Sequence, residues 1–241
     1  MEIAPGVRRI GTRDWVNAYL VEESGEVTIV DAGASGMWGD LVAELAVMGR
    51  TLDDVRSIVL THGHTDHIGF AERGRTEQGW PVRIHELDAA LARGDVKQAG
   101  KVMGPVRPLP LLRFLAWASL RGLLRVRHLG AVEAFGDGAT LDVPGAPRII
   151  LAPGHTAGST VLHFADHGTL CVGDAIATYA VTTGRSGPQL SPFSEDRATA
   201  LASLARFEDV DARLVLPGHG PAFGGTPAEA VRLAREASLP A

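Results

Sequence analysis

Cysteine is all but missing from this chain of 241 residues. Cys171 stands alone, so neither an internal disulfide nor a cysteine-rich zinc module can be built. The opening Met1-Glu2-Ile3-Ala4-Pro5-Gly6 lacks the basic start and apolar stretch of a secretory leader, so a reducing cytoplasm is the expected compartment. No apolar run is fit to span a bilayer: the strongest, 109–124, is short and broken by Pro110, Arg113 and Arg121. An excess of positive charge is missing too. The formal net charge is −5, which gives no reason to expect nucleic acid as a partner and leaves a small-molecule substrate as the default.

What the chain does have is apolar residues, 45% of the total, without a low-complexity linker. A single domain over 1–241 is expected, burying roughly 70–75% of the surface of the unfolded chain. Apolar runs at Val7–Ile10, 17–21 and Glu26–Val30 predict early strands, and Leu41, Leu45 and Met48 before Gly49 predict a helix. The strand 56–60 leads into Thr61-His62-Gly63-His64-Thr65-Asp66-His67. On a helix His62 and His64 would point about 200° apart, and on a strand His67 would leave the face of the others. Only a loop turns all four groups inward, and Gly63 and Gly69 are read as giving that loop its backbone freedom. A helix from His67 to about Glu77, a strand at 81–84 and a helix at 85–91 follow, the alternation of a layered α and β protein.

Three later strands end in a metal-capable group beside glycine: His155 in Pro-Gly-His, Asp174 in Gly-Asp and His219 in Pro-Gly-His-Gly. The echo between the His155 and His219 segments hints at two related halves. Five histidines and two carboxylates suffice for two metal ions sharing one carboxylate. Neutral imidazole with carboxylate suits zinc best, and iron, manganese or cobalt accept the same donors. His85, His128, His163 and His167 are read as ordinary surface or core histidines. Ser194 is read as the cap of a helix to about Phe207, and Thr226-Pro227-Ala228-Glu229 as a capping box.

The H-x-H-x-D-H run, Gly-His-Thr-x-Gly-Ser, Gly-Asp and Pro-Gly-His-Gly, in this order from the Asp31 turn to His219, resemble the metallo-β-lactamase-fold hydrolase superfamily. The resemblance implies an α/β fold, a four-layer αββα sandwich. It implies that His62, His64 and His155 hold one divalent ion, that Asp66, His67 and His219 hold another, and that Asp174 bridges them. Asp31 resembles the family's aspartate behind the metal ligands, and Asp66 is read as a proton carrier to the leaving group. A dinuclear, metal-dependent hydrolase of esters, thioesters or lactones is expected, of the glyoxalase II and lactonase-like branch. An aspartate at the bridging position argues against the commonest zinc β-lactamases. The chain stops about twenty residues after His219, short of the helical domain that glyoxalase II-like enzymes add. Lactonase-like enzymes place a tyrosine near the bridging aspartate, and Tyr179 is the nearest counterpart. A mononuclear iron sulfur dioxygenase using His62, His155 and Asp174, or a phosphodiester hydrolase, is the alternative.

One segment breaks the rhythm. Residues 96–132 hold seven basic residues and no acidic one. A helical lid or packing element is preferred there over an interfacial helix on an anionic membrane, and Leu111, Phe114, Leu115 and Trp117 are the residues expected to line the cleft. Substrate choice is expected to lie in this insert and in the 175–193 loop.

Overall fold

A computed structural model describes residues 1–11, 13–98, 105–125 and 127–238. The part of the 96–132 insert at 99–104 and 126, including Lys101, lies outside them. Among the described residues, seven strands form a first sheet in sequence order: β1 (Glu2–Ala4), β2 (Val7–Ile10), β3 (Ala18–Glu23), β4 (Glu26–Val30), β5 (Val55–Val59), β6 (Val82–His85) and β7 (Glu133–Phe135). The β1 to β4 run is antiparallel, and β4 to β7 are parallel. The parallel crossovers carry the helices α1 (Trp38–Val47), α2 (Ala71–Arg73), α3 (Ala89–Ala92) and α4 (Pro108–Leu120). A second sheet is built from β8 (Arg148–Leu151), β9 (Thr160–Phe164), β10 (Thr169–Gly173), β13 (Leu214–Pro217) and β14 (Phe223–Gly224), and β11 (Ala177–Ala180) pairs with β12 (Arg185–Gln189) as a separate hairpin. Helices α5 (Arg197–Ser203) and α6 (Pro227–Glu236) complete the chain.

Alternation along the strands sorts the side chains into three apolar layers. Tyr19, Val21, Val30 and Val59 from the first sheet meet Ile149, Leu162, Phe164, Cys171 and Leu216 from the second. Their neighbours Leu20, Ile29 and Ile58 turn the other way, onto Leu41 and Leu45 of α1 and onto Phe70. On the far side, Val161, Leu170, Val172 and Val215 pack against Ala200 of α5 and Val231 of α6. Three cores between four layers make the αββα sandwich. Two buried faces per sheet explain why strands such as β4 and β5 read as continuous apolar runs.

Three helix starts differ from expectation: His85 belongs to β6, so the helix expected over 85–91 begins only at Ala89. The segment 67–70 is not helical, because its backbone pairs with the turn after β4: the Ala32 N–H donates to the His67 carbonyl at 2.6 Å, Gly69 to Gly33 at 2.9 Å and Phe70 to Ala32 at 3.1 Å. Helix α2 therefore starts only at Ala71 and passes into one wide turn, Gly74–Gln78. Ser194 does not cap α5; Asp196 does, accepting the Thr199 N–H at 3.0 Å. The Thr226 half of the expected capping box forms at α6, its hydroxyl accepting the Glu229 N–H at 3.2 Å.

Candidate metal centre

The loops after β5, β8, β10 and β13 converge at one place. The Pro217–Gly218 turn after β13 docks where the Gly218 N–H donates to the Gly173 carbonyl at 2.7 Å, which fixes the ends of β10 and β13 together. Gly218 is required there: a Cβ would lie 2.3 Å from Asp174 Oδ1 and 2.6 Å from His67 Cε1. Gly63 and Gly69 have ordinary negative φ, so their service is space rather than unusual backbone angles. A Cβ on Gly69 would sit 2.1 Å from the Gly33 carbonyl oxygen.

The convergence gathers every residue singled out by the sequence. One donor atom from each of His62, His64 and His155 lies within 4.8 Å of the others, and the same holds for Asp66, His67 and His219 and for His62, His67 and Asp174. All are buried except Asp66, whose side chain keeps 20% of its exposure. Asp174 stands between the groups, with Oδ2 at 3.3 Å from His155 Nε2 and 3.2 Å from His219 Nε2, and Oδ1 at 3.6 Å from His67 Nε2. His85, His163 and His167 stay outside; the last two face the Asp211 and Pro5 carbonyls at 3.1 and 3.4 Å.

The outward ring nitrogens fix which nitrogens point in. Asp31, held at φ 59°, accepts the Thr61 N–H and the Thr61 hydroxyl at 2.8 Å each and His67 Nδ1–H at 2.8 Å. With the Thr61 hydroxyl proton given to Asp31, His62 Nδ1 is left to donate to that oxygen at 3.1 Å. His219 Nδ1–H donates to the Trp15 carbonyl, and His155 Nδ1 meets the Ser194 hydroxyl at 3.4 Å. Each of these four rings therefore turns Nε2 toward the centre, where the neutral ring offers a lone pair. His64 points in with Nδ1, 2.9 Å from His155 Nε2. Buried lone pairs that face one another need a shared cation, and His62 Nε2, His67 Nε2 and Asp174 Oδ1 have no hydrogen-bond partner within the protein. This donor set fits divalent metal ions.

Electrostatics separates the imidazoles. Burial, reinforced by the adjoining rings, pushes His62 well below the ordinary value and takes His155 down to about 3. Burial also opposes charge on His67, yet the Asp31 carboxylate and its hydrogen bond hold that ring up to about 10. His219 is held up to about 9 against its burial by Asp174. The Asp174 carboxyl, which burial alone would raise, lies well below the usual range because His219, His155 and His67 face it.

Asp88 is a part of the site that sequence reasoning missed. Buried at the start of α3, it accepts the Gly63 N–H at 2.8 Å, the Thr156 hydroxyl at 2.7 Å and the Gly158 N–H at 2.7 Å. One carboxylate thus ties the loop of His62 and His64 to the loop of His155. In the sequence it is an acid within an amphipathic run, and only its place between glycine-rich loops sets it apart.

Above the cluster lies a cavity of about 190 Å³ lined by His64, Asp66, Asp174 and His219 on its floor and by Phe114, Leu115, Ala118, Leu123, Leu124, Val181 and Phe193 on its walls. Phe114 and Leu115 are where the sequence placed them. Leu111 and Trp117 are not in the lining: Trp117 instead packs edge to face on Trp15 at 5.8 Å. Helix α4 is fastened at both ends. The Arg107 N–H donates to the Thr182 carbonyl at 2.8 Å, and Arg121 bridges to Asp40 at 2.9 Å and to the Gly36 carbonyl at 3.0 Å. Val181 and Phe193 come from the 175–193 loop, as anticipated, but Tyr179 is absent from the lining.

Comparison with known proteins agrees with this geometry. The Bacillus subtilis protein YobT is 30% identical over 66% of this chain, and the match spans 61% of that relative's own length. The "probable metallo-hydrolase" YflN of Bacillus subtilis is 28% identical over 91% of this chain and 85% of its own. TTHA1623, whose structure is known in a di-iron-bound form, superposes with a TM-score of 0.64 at 25% identity, covering 93% of this chain and 96% of that one. The family model of the metallo-beta-lactamase superfamily matches residues 11–219, and with the site's donors inside that span, the chain belongs to this superfamily.

Proposed function

We propose that the protein is a dinuclear metal-dependent hydrolase of small esters, thioesters or lactones. The observation that carries this reading is the completeness of the second donor group: Asp66, His67 and His219 converge as closely as His62, His64 and His155 do, with Asp174 between them. A mononuclear iron dioxygenase would need only His62, His155 and Asp174. In this reading His62, His64 and His155 hold one ion, Asp66, His67 and His219 hold the other, and Asp174 serves both. When bound, a pair of divalent ions supplies a water of near-neutral pKa and positive charge against a developing oxyanion. Zinc is the metal of first expectation for these donors, and the di-iron form of TTHA1623 makes iron its strongest competitor.

The chain's own residues do the rest. Asp31 and the Trp15 carbonyl keep the inward nitrogens of His67 and His219 on target, as outer partners of metal ligands do. Asp66, the one carboxylate with an exposed edge on the cavity floor, is placed to pass a proton to the leaving group. Phe114, Leu115, Val181 and Phe193 receive the apolar part of the substrate and exclude water around the scissile bond, with α4 acting as the lid. The test is a panel of lactones, thioesters, aryl esters and phosphodiesters assayed with the metal-loaded protein and with Asp174→Ala. Turnover of a carboxylic ester or thioester that Asp174→Ala abolishes supports the reading. Turnover confined to phosphodiesters, or oxygen uptake without hydrolysis, contradicts it.

A further inference from the structure

We propose that the outward face of α4, with the turn after it, is a docking surface for an anionic lipid membrane. Helix α4 is apolar on both sides, and among the described residues only one side is used within the fold. Inward, Ala118 is buried, Trp117 packs into the core beside the first sheet, and Phe114 stacks on Trp117 at 6.1 Å. Outward, Leu109, Leu112 and Leu120 are 59%, 61% and 87% exposed, and Leu124 in the next turn is 73% exposed. Residues 109, 112, 116 and 120 follow at spacings of three and four, so they form one continuous stripe. A helix apolar all round is ordinarily enclosed, and a contiguous leucine stripe on a free surface marks a contact site.

Charge decides the occupant. Arg107 at the start of α4 and Arg113 within it are exposed and form no ion pair among the described residues. The whole insert contains no acidic residue. Two copies of the chain meeting symmetrically through this stripe would bring like charges together. A bilayer with anionic headgroups instead accepts both features, leucines below the headgroups and guanidinium groups among the phosphates. The net charge of −5 despite this basic patch makes the remaining surface acidic, so an anionic membrane would attract α4 and repel the body, which orients the molecule. No described helix is long and apolar enough to cross a membrane, so the contact is peripheral. Leu124 belongs both to this face and to the cavity wall over the metal cluster, so the docked face is continuous with the cavity.

The experiment is cosedimentation of the metal-loaded full chain with vesicles of phosphatidylglycerol and phosphatidylcholine, and with phosphatidylcholine alone. Binding to the anionic vesicles is expected, weaker on the neutral ones and weakened by salt. The double variant Leu112→Ser, Leu120→Ser should lower partitioning about tenfold or more, since each leucine leaves the apolar layer. Arg113→Glu should lower it roughly fivefold or more. Circular dichroism and metal content check the fold, and the charge reversal alone carries the test where the double variant is misfolded. Absence of binding to anionic vesicles, unchanged binding by a folded variant, or a solution dimer that the double variant dissolves would overturn the proposal. Vesicle binding requires no turnover, so its failure leaves the hydrolase reading untouched, and the reverse holds as well.

Discussion

The cluster at the sheet ends and the helix that covers it are held by opposite kinds of force. Behind the inward-facing donors of His62, His67 and His155, carboxylates bind the loops together: Asp31 accepts three hydrogen bonds from Thr61 and His67, and Asp88 accepts three from two different loops. Helix α4 has two polar anchors, at Arg107 and Arg121, and between them rests on aromatic edges contributed by Trp15. A carboxylate network of the first kind fixes direction to a fraction of an ångström and fails sharply when one member is removed. Apolar contact of the second kind tolerates changes of shape and is graded in its losses. The difference suits a rigid chemical centre beneath an adaptable substrate wall.

The largest effect is expected where the two donor groups meet. Asp174→Ala removes the one carboxylate placed against His67, His155 and His219, and hydrolysis should fall roughly a thousandfold, with several kcal/mol of charge stabilisation lost. Elemental analysis of the variant should find clearly less metal than in the parent chain. Next come the carboxylates behind the rings. Asp31→Asn and Asp88→Asn should each weaken metal affinity about 10- to 100-fold in a competitive chelator titration, while the secondary structure stays in place. Equal, small losses from both would remove the claimed contrast between the network and the lid. On the other side of the comparison, Phe114→Ala should lower kcat/KM for an apolar substrate about tenfold, with metal content unchanged. A fall in metal content in Phe114→Ala would show instead that the helix, through Trp15 and its carbonyl bond to His219, is part of the rigid centre.

How much of this could be read without coordinates follows the same division. The convergence of His62, His64, Asp66, His67, His155, Asp174 and His219 was legible, because so many metal-capable groups have no use in a core and they come in four short segments, each holding a glycine at or just after a strand end. The strands β2 to β5 and the early helix α1 were legible from periodicity. What sequence hid was whatever depends on a partner far along the chain. The 67–70 segment has helical composition, yet the Ala32–Gly33 turn captures its backbone. Asp88 looks like a surface acid and becomes a buried clamp only because Gly63 and Gly158 are brought to it from either side. Trp117 was placed in the cleft on hydrophobicity, and it turned to Trp15, a contact across roughly a hundred residues that periodicity cannot see.

The smallest effect concerns the metal-free chain and pH. His67 and His219 have folded values of about 10 and about 9, above the ordinary 6.5, so the stability they lend is complete below pH 6.5 and is lost as pH rises through those values. His155, held down at about 3, acts in the other direction: as pH falls below 6.5 the unfolded chain takes up a proton that the folded one refuses, and stability declines. Thermal unfolding in the presence of a chelator should therefore show its highest midpoint near pH 6.5, with a steady fall as pH rises toward 9 and 10. A midpoint still climbing above pH 10 would contradict the charged state assigned to His67.

The central claim, that two donor groups share Asp174, is tested most directly by counting ions. Titration of the metal-stripped chain with zinc, read by calorimetry and checked by elemental analysis, should reach two ions per chain, with hydrolysis returning as they bind. Saturation at a single ion in the parent chain, or full hydrolysis while the protein is still free of metal, would contradict the account.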